Sequence, residues 1–202
     1  MSESAVARGR RLAPAERRAA LIEIGKQLFT SHAYDDLSID DVARLAGVSK
    51  GLLYHYFESK RGFYVATIRQ LGDELLEATR LDTDEELDAA LRRVLQAFYG
   101  FLSGNGRLFR TLVRGGIGND AEVERIVDDV RDRMLRRFAQ RLGLDTPSPD
   151  LRVRLYAWLG AVEALAVDRV DHGDLAESAF VRIALDALGG LLQGATSFGG
   201  QG

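Results

Sequence analysis

Apolar residues along most of this 202-residue chain return every three or four positions, and nowhere do they alternate with the period of two that marks a half-buried strand. The pattern predicts nine helices and no sheet, an all-α protein. The first helix runs over residues 14 to 31, with Pro14 in its first turn and Ile24 and Leu28 facing inward. Two short helices follow, beginning near Ile39 and Lys50, and then a long one over residues 60 to 80. Thr83-Asp84-Glu85-Glu86 reads as a capping box that opens a helix with Leu87, Leu91, Val94, Leu95, Phe98, Phe101 and Leu102 inward. Gly104-Asn105-Gly106 is expected to end it, leaving a short helix over 107 to 114 and a break at Gly115-Gly116. Asp120 then opens a helix to Leu142 that keeps Val123, Val127, Val130, Met134 and Phe138 in step. After a loop over 143 to 149, Ser148-Pro149 starts a helix to about residue 170 with Leu155, Trp158, Leu159 and Val162 on one side. Asp174 opens the last, in which Phe180, Ala184, Leu188 and Leu191 recur.

The stretch from Leu37 to Tyr64 carries the most chemistry. Ser38 is placed to accept from an orphan N–H of the helix that follows, and Asp40 and Asp41 sit in its first turn, where the helix dipole favours carboxylates. Gly47 supplies the left-handed residue that ends this helix, Val48 offers an apolar side chain to the angle, and Ser49 starts the next helix, which runs to about Tyr56. Two helices joined by so short a glycine turn form a helix-turn-helix, whose second helix enters the DNA major groove. Leu53 points inward, leaving Lys50, Gly51, Leu52, Tyr54 and His55 for the outer surface. Lys50 suits guanine O6 or N7, whereas Ser49, Tyr54 and His55 suit phosphate oxygens. Ser59 caps a further helix at whose start Lys60 and the exposed N–H groups form a second phosphate clamp. The expected DNA-contacting set is therefore Ser38, Ser49, Lys50, Gly51, Leu52, Tyr54, His55 and Lys60.

Ala46-Gly47-Val48-Ser49-Lys50-Gly51, Leu53-Tyr54-His55-Tyr56-Phe57 and Ser59-Lys60, preceded by a helix containing Ile24, Leu28 and Phe29, resemble the DNA-binding domain of the TetR family of bacterial transcriptional regulators. The likeness is specific over residues 15 to 65 and rests on length and helical pattern beyond them. It implies a three-helix DNA-binding domain at 14 to 62, a helical effector-binding and dimerisation domain at 63 to 194, a basic disordered arm at 1 to 13 and a flexible tail at 195 to 202. It also implies that the last two long helices pair with their equivalents in a second copy, although their apolar stripes would equally complete a monomer core. One position departs from the family pattern. Ala33 precedes Tyr34 where relatives usually carry Gly, and a left-handed Ala there costs on the order of 1 kcal/mol.

Charge sharpens this division. Residues 1 to 62 hold ten Lys or Arg against eight Asp or Glu, a net +2, and the remainder holds 17 against 22, a net −5. Arginines 8, 10, 11, 17 and 18 concentrate the positive charge near the first helix, where an arm would reach phosphates or the minor groove, or serve only as a solubilising tail. There is no Cys, the longest uncharged stretch, Ala187 to Gly202, is rich in glycine, and no apolar block follows the N-terminal arginines. These features predict a cytoplasmic protein with no signal peptide, membrane span or disulfide framework.

Enzyme chemistry finds no constellation. His32, His55 and His172 lie far apart in sequence, there is no Cys, and no glycine-rich phosphate loop follows a strand, so neither a metal nor a cofactor is expected. A small-molecule effector would sit among the middle helices, with Phe98, Phe101, Phe109, Arg110, Trp158 and Glu163 as candidate lining, and Tyr99, Tyr156 and Arg114 beside them. The reading that follows is a homodimeric repressor released from a palindromic operator by that effector. A transcriptional activator, or an all-helical ligand-binding protein with a vestigial DNA-binding end, is the alternative.

Overall fold

The computed structural model describes residues 13–81, 85–114 and 120–197, with side chains described as far as residue 193. Among them lie eight α-helices and no strand: α1 (Pro14–Ser31), α2 (Ile39–Leu45), α3 (Lys50–Phe57), α4 (Lys60–Ala78), α5 (Leu87–Val113), α6 (Ala121–Arg141), α7 (Pro149–His172) and α8 (Glu177–Ser197). They form two compact units, Met1–Thr67 and Ile68–Gly202, and α4 contributes to both.

In the first unit the helix starts follow the capping chemistry. Ser38 accepts from the Asp41 N–H at 3.1 Å while the Asp41 carboxylate accepts from the Ser38 N–H and hydroxyl, at 3.1 and 2.6 Å. Ser49 accepts from the Leu52 N–H and Ser59 from the Gly62 N–H. Between α2 and α3 the Val48 N–H reaches back to the Ala43 carbonyl and the Gly47 N–H to that of Arg44, a closure that needs the left-handed φ of +64° at Gly47. Ala33 is not strained, because Glu58 is the sole described non-glycine residue with positive φ. A cluster of rings packs among the aliphatic side chains of this unit's core. Phe29 meets Tyr64 edge-on at 4.8 Å, Tyr34 lies 5.0 Å from Tyr64 and Phe57 4.9 Å from Phe63. Phe63 and Tyr64 are fully buried, as are Leu21 and Ile22 of α1, whereas Ile24 is only half-buried and Leu45 of α2 stays exposed.

The second unit is built on α5, α7 and α8, with α6 packed against α7. Its helices correct three expectations. First, α5 runs unbroken through Gly104-Asn105-Gly106. A Cβ at Gly106 would lie 2.7 Å from Val170, so this glycine gives α7 room to approach rather than ending a helix, and Asn105 bonds back to the Phe101 carbonyl. The chain therefore has eight described helices instead of nine. Second, α5 begins after Glu86, whose side chain makes no cap; Glu85 pairs with Arg93 at 3.0 Å, and Thr83 and Asp84 of the expected capping box lie outside the described residues. Third, α8 starts at Glu177, not Asp174, and the Leu175 carbonyl just before it accepts from the Tyr99 hydroxyl at 2.8 Å. The expected break at Gly115-Gly116 and the arginines at 8, 10 and 11 also fall outside the described residues.

Candidate nucleic-acid interface and internal cavity

Capping of α2 and α3 leaves one side of the pair in water. Ser38, Ser49, Lys50, Gly51, Tyr54 and His55 are exposed, whereas Leu52 is half-buried and Leu53 buried. At the N-terminus of α3 the Lys50 ammonium donates to the Asp40 carboxylate at 2.9 Å, and this bond raises the pKa of Lys50. On the same stretch of α2, Arg44 pairs with Asp41 at 2.9 Å. The hydrogen bond from the Ser38 hydroxyl, with Arg44 and the Ser38 N–H behind it, pulls the Asp41 carboxyl down to about 2. Both cations on this face are thus held by neighbouring carboxylates.

Lys60 takes a different role from the expected phosphate clamp. Its ammonium donates to the Tyr34 and Leu37 carbonyls at 2.9 and 2.7 Å and sits 3.9 Å from the Tyr34 ring centroid. These carbonyls belong to the link between α1 and α2, so Lys60 fastens that link to the start of α4 and turns its charge inward.

The second unit holds a partly open cavity of about 120 Å³ between α4, α5, α6 and α7. Its wall is almost wholly aliphatic and aromatic. α4 gives it Ile68, Leu71 and Leu75; α6 gives it Val127, Val130 and Met134, the half-buried members of its apolar stripe. On the same wall Arg131 donates to Glu163 twice, Nε to Oε1 at 2.8 Å and Nη2 to Oε2 at 3.0 Å. That forked contact, aided by Asp128, raises the pKa of Arg131 above its ordinary value against the opposing effect of burial.

Two family descriptions match this arrangement. "Bacterial regulatory proteins, tetR family" covers residues 21–67, and "Tetracyclin repressor-like, C-terminal domain" covers residues 87–188. The chain belongs to the TetR family of transcriptional regulators. Among its relatives, the HTH-type transcriptional activator FasR of Mycolicibacterium smegmatis is 30% identical over 118 residues, 57% of this chain and 54% of FasR. The HTH-type transcriptional repressor DhaR of a Mycobacterium species is 29% identical over 174 residues, 75% of this chain and 83% of DhaR. This chain thus spans about half of the first relative and most of the second. A tetR-family regulator from Streptomyces coelicolor has a similar structure, with a TM-score of 0.83, 27% identity and coverage of 93% of this chain and 85% of the other. This TetR protein therefore carries the family's DNA-binding domain and is a transcriptional regulator.

Of the residues expected to line the regulator's pocket, Phe98, Phe101, Phe109, Trp158 and Glu163 lie on the cavity wall. Arg110 does not. It and Arg114 grip Asp171 at the end of α7, at 2.5 and 2.6 Å, and Arg110 foremost holds that carboxyl below its usual range. Tyr99 and Tyr156 also point elsewhere, to the Leu175 carbonyl and to Asp132. The sequence reading missed the partnership of Asp40 with Lys50 and the cavity wall supplied by α4. Its one available signal for the former was an acid in the first turn of α2, a position explained equally well by the helix dipole. Among the described residues no group of acids and histidines is disposed to hold a metal, and no helix is long and apolar enough to cross a membrane.

Proposed function

We propose that this TetR regulator is a homodimeric repressor that occupies a palindromic operator and leaves it when a small molecule fills the cavity. The observation that carries the reading is the course of α4. Its first turn follows the helix-turn-helix directly, and further along it turns Ile68, Leu71 and Leu75 to the cavity. A molecule in the cavity therefore presses on the same rigid element that leaves the DNA-reading helices. The second half of α4 is also tied to the cavity-lining α6, through Asp73 with Arg133 at 3.5 Å and Arg137 with the Leu76 carbonyl.

Ser49, Lys50, Gly51, Tyr54 and His55 are the residues offered to DNA, with Ser38 and Leu52 at the margin. Lys50 reads a base edge at the N-terminal end of α3, after exchanging Asp40 for the groove. Two copies, paired through α7 and α8, place their recognition helices one turn of DNA apart, about 34 to 36 Å. The effector favours a separation that no longer matches successive major grooves. By linkage, operator then weakens effector binding by the factor with which effector weakens operator binding. The activator named among the relatives supports one variant, in which the same dimer recruits polymerase instead of blocking it.

The test is selection of bound sequences from random duplexes, followed by titration of the selected site with the Lys50→Ala protein. A palindrome should emerge, and Lys50→Ala should lower its affinity roughly 5- to 150-fold, the range for a lost base contact, with dimerisation intact. Undiminished affinity in Lys50→Ala would sink the contact assignment, and a non-palindromic site bound by a monomer would sink the dimer.

A further inference from the structure

We infer that the cavity takes an uncharged, chiefly hydrocarbon molecule, because its wall is aliphatic and aromatic and its Arg131–Glu163 pair is satisfied within the protein. The inference rests on the effector reading above and names the chemical class of the ligand.

The argument is an inventory of the polar groups on the wall. The Thr79 hydroxyl donates to the Leu75 carbonyl at 2.6 Å, Trp158 Nε1 donates to the Ala184 carbonyl at 2.8 Å, and Arg137 donates to the Leu76 carbonyl. Arg131 and Glu163 satisfy each other in a two-point fork, and the spare edge of the guanidinium meets Asp128 at 3.2 Å. Each of these side chains already has a partner inside the protein. A carboxylate or phosphate seeking Arg131 would have to evict Glu163, whose side chain is only 16% exposed, and leave it unpaired in an apolar wall. A cation seeking Glu163 would strand Arg131 in the same way, with only exposed Asp128 to fall back on. Hydrocarbon meets neither penalty. It gains burial against aliphatic and aromatic side chains and leaves the ion pair whole. Size adds a second constraint. At about 120 Å³ the cavity compares with the roughly 150 Å³ that accommodates benzene, so a longer molecule extends through its open side or moves its helical walls.

The experiment uses the full chain, the uncharged fluorophore N-phenyl-1-naphthylamine, and three competitors of equal chain length at neutral pH: decanol, decanoate and decylammonium. Decanol should displace the fluorophore at a concentration at least tenfold lower than either ion. Val127→Trp, which fills the cavity from its half-buried α6 face, should abolish uptake; Glu163→Gln, which frees Arg131, should narrow the gap between decanoate and decanol. Should Glu163→Gln fail to fold, Arg131→Met with Glu163→Leu removes both charges and should still bind decanol. Decanoate or decylammonium equalling decanol in the parent protein overturns the inference. So does fluorophore uptake that survives Val127→Trp, or no uptake at all. Failure of the effector reading looks different, since decanol would then bind as expected but leave operator affinity unchanged.

Discussion

The two units solve opposite problems with the same secondary structure. In the first, short helices around an aromatic core spend their special side chains on local geometry: Ser38, Ser49 and Ser59 cap helices, Gly47 closes the turn, and Lys60 buries its charge against two carbonyls. Its proposed DNA-contacting surface is outside. In the second, long helices meet through aliphatic and aromatic faces that stop short of filling the interior, and the space between them is the proposed effector site. A binding face for DNA demands rigid donors at fixed spacing, whereas a cavity for an apolar effector demands walls that move. The difference predicts that the first unit loses function when any local tie is cut, and that the second tolerates change except where packing is densest.

The most forceful way to break that comparison is to remove a ring. Phe63 is fully buried between Phe29 and Phe57, and Phe63→Ala should cost about 3 to 5 kcal/mol. The chain has a single Trp, and Trp158 lies in the core of the second unit, so its fluorescence reports that unit alone while circular dichroism reports both. In Phe63→Ala the dichroism should develop an early transition and the Trp158 transition should keep its midpoint. Coincident shifts of both signals would show that the units do not hold their stability separately. Next in size is Lys60→Met, which keeps the apolar stem and removes two charge-assisted hydrogen bonds; a loss of about 1.5 to 3 kcal/mol is expected in the same dichroism transition, towards the lower end because Lys60 is half-buried. An effect on operator affinity with no effect on stability would instead restore Lys60 to the phosphate-binding set.

These contrasts also explain what the sequence makes legible. Caps, the left-handed glycine and the helix starts near them depend on residues within five positions of one another, and Pro14, Ser38, Gly47, Ser49 and Ser148 each sit where local rules place them. The misreadings involve partners distant in sequence. Gly104-Asn105-Gly106 looks like a terminator until Val170 arrives 64 residues later (170 less 106) to occupy the room at Gly106. Arg110 looks like a ligand anchor until Asp171 takes it, and Lys60 looks like a phosphate clamp until Tyr34 and Leu37 offer their carbonyls. The aromatic pocket candidates fared better, because residues on an apolar stripe face the interior whether that interior is filled or hollow. Which of the two it is depends on side-chain volumes summed over four helices, and no periodicity carries that quantity.

A smaller effect sharpens the account of the outer face. Asp40 is exposed and holds Lys50 at 2.9 Å, so part of the positive charge that would draw the recognition helix to any phosphate is cancelled in the free protein. Asp40→Asn should raise affinity for random duplex modestly and steepen the dependence of log K on log salt by about 1, the slope for one further phosphate contact. Affinity for the selected operator should change less, narrowing the specificity ratio. If operator and random duplex gain equally, Asp40 acts through overall charge alone and not by holding Lys50 in reserve.

The least disruptive test distinguishes the units by acid. Asp41 titrates at about 2 against an ordinary 3.8, chiefly because the Ser38 hydroxyl donates to it. A carboxyl depressed in the folded state adds stability that is complete above its unfolded value and disappears as pH falls through the folded one, so this capping box should weaken between about pH 4 and pH 2. Asp41 is only half-buried, and the change should be visible as a titration before it is visible as unfolding. Carbon-13 chemical shifts of the Asp41 carboxyl should give a midpoint near 2, and Ser38→Ala should raise it without restoring the ordinary value, because Arg44 and the residue-38 N–H still stabilise the charge. Asp171 in the second unit, depressed by Arg110 and Arg114 across two helices, should not respond to Ser38→Ala. An unshifted Asp41 in that variant would mean that the arginine, not the cap, sets its charge, and the first unit would then owe its acid resistance to the same kind of ion pair as the second.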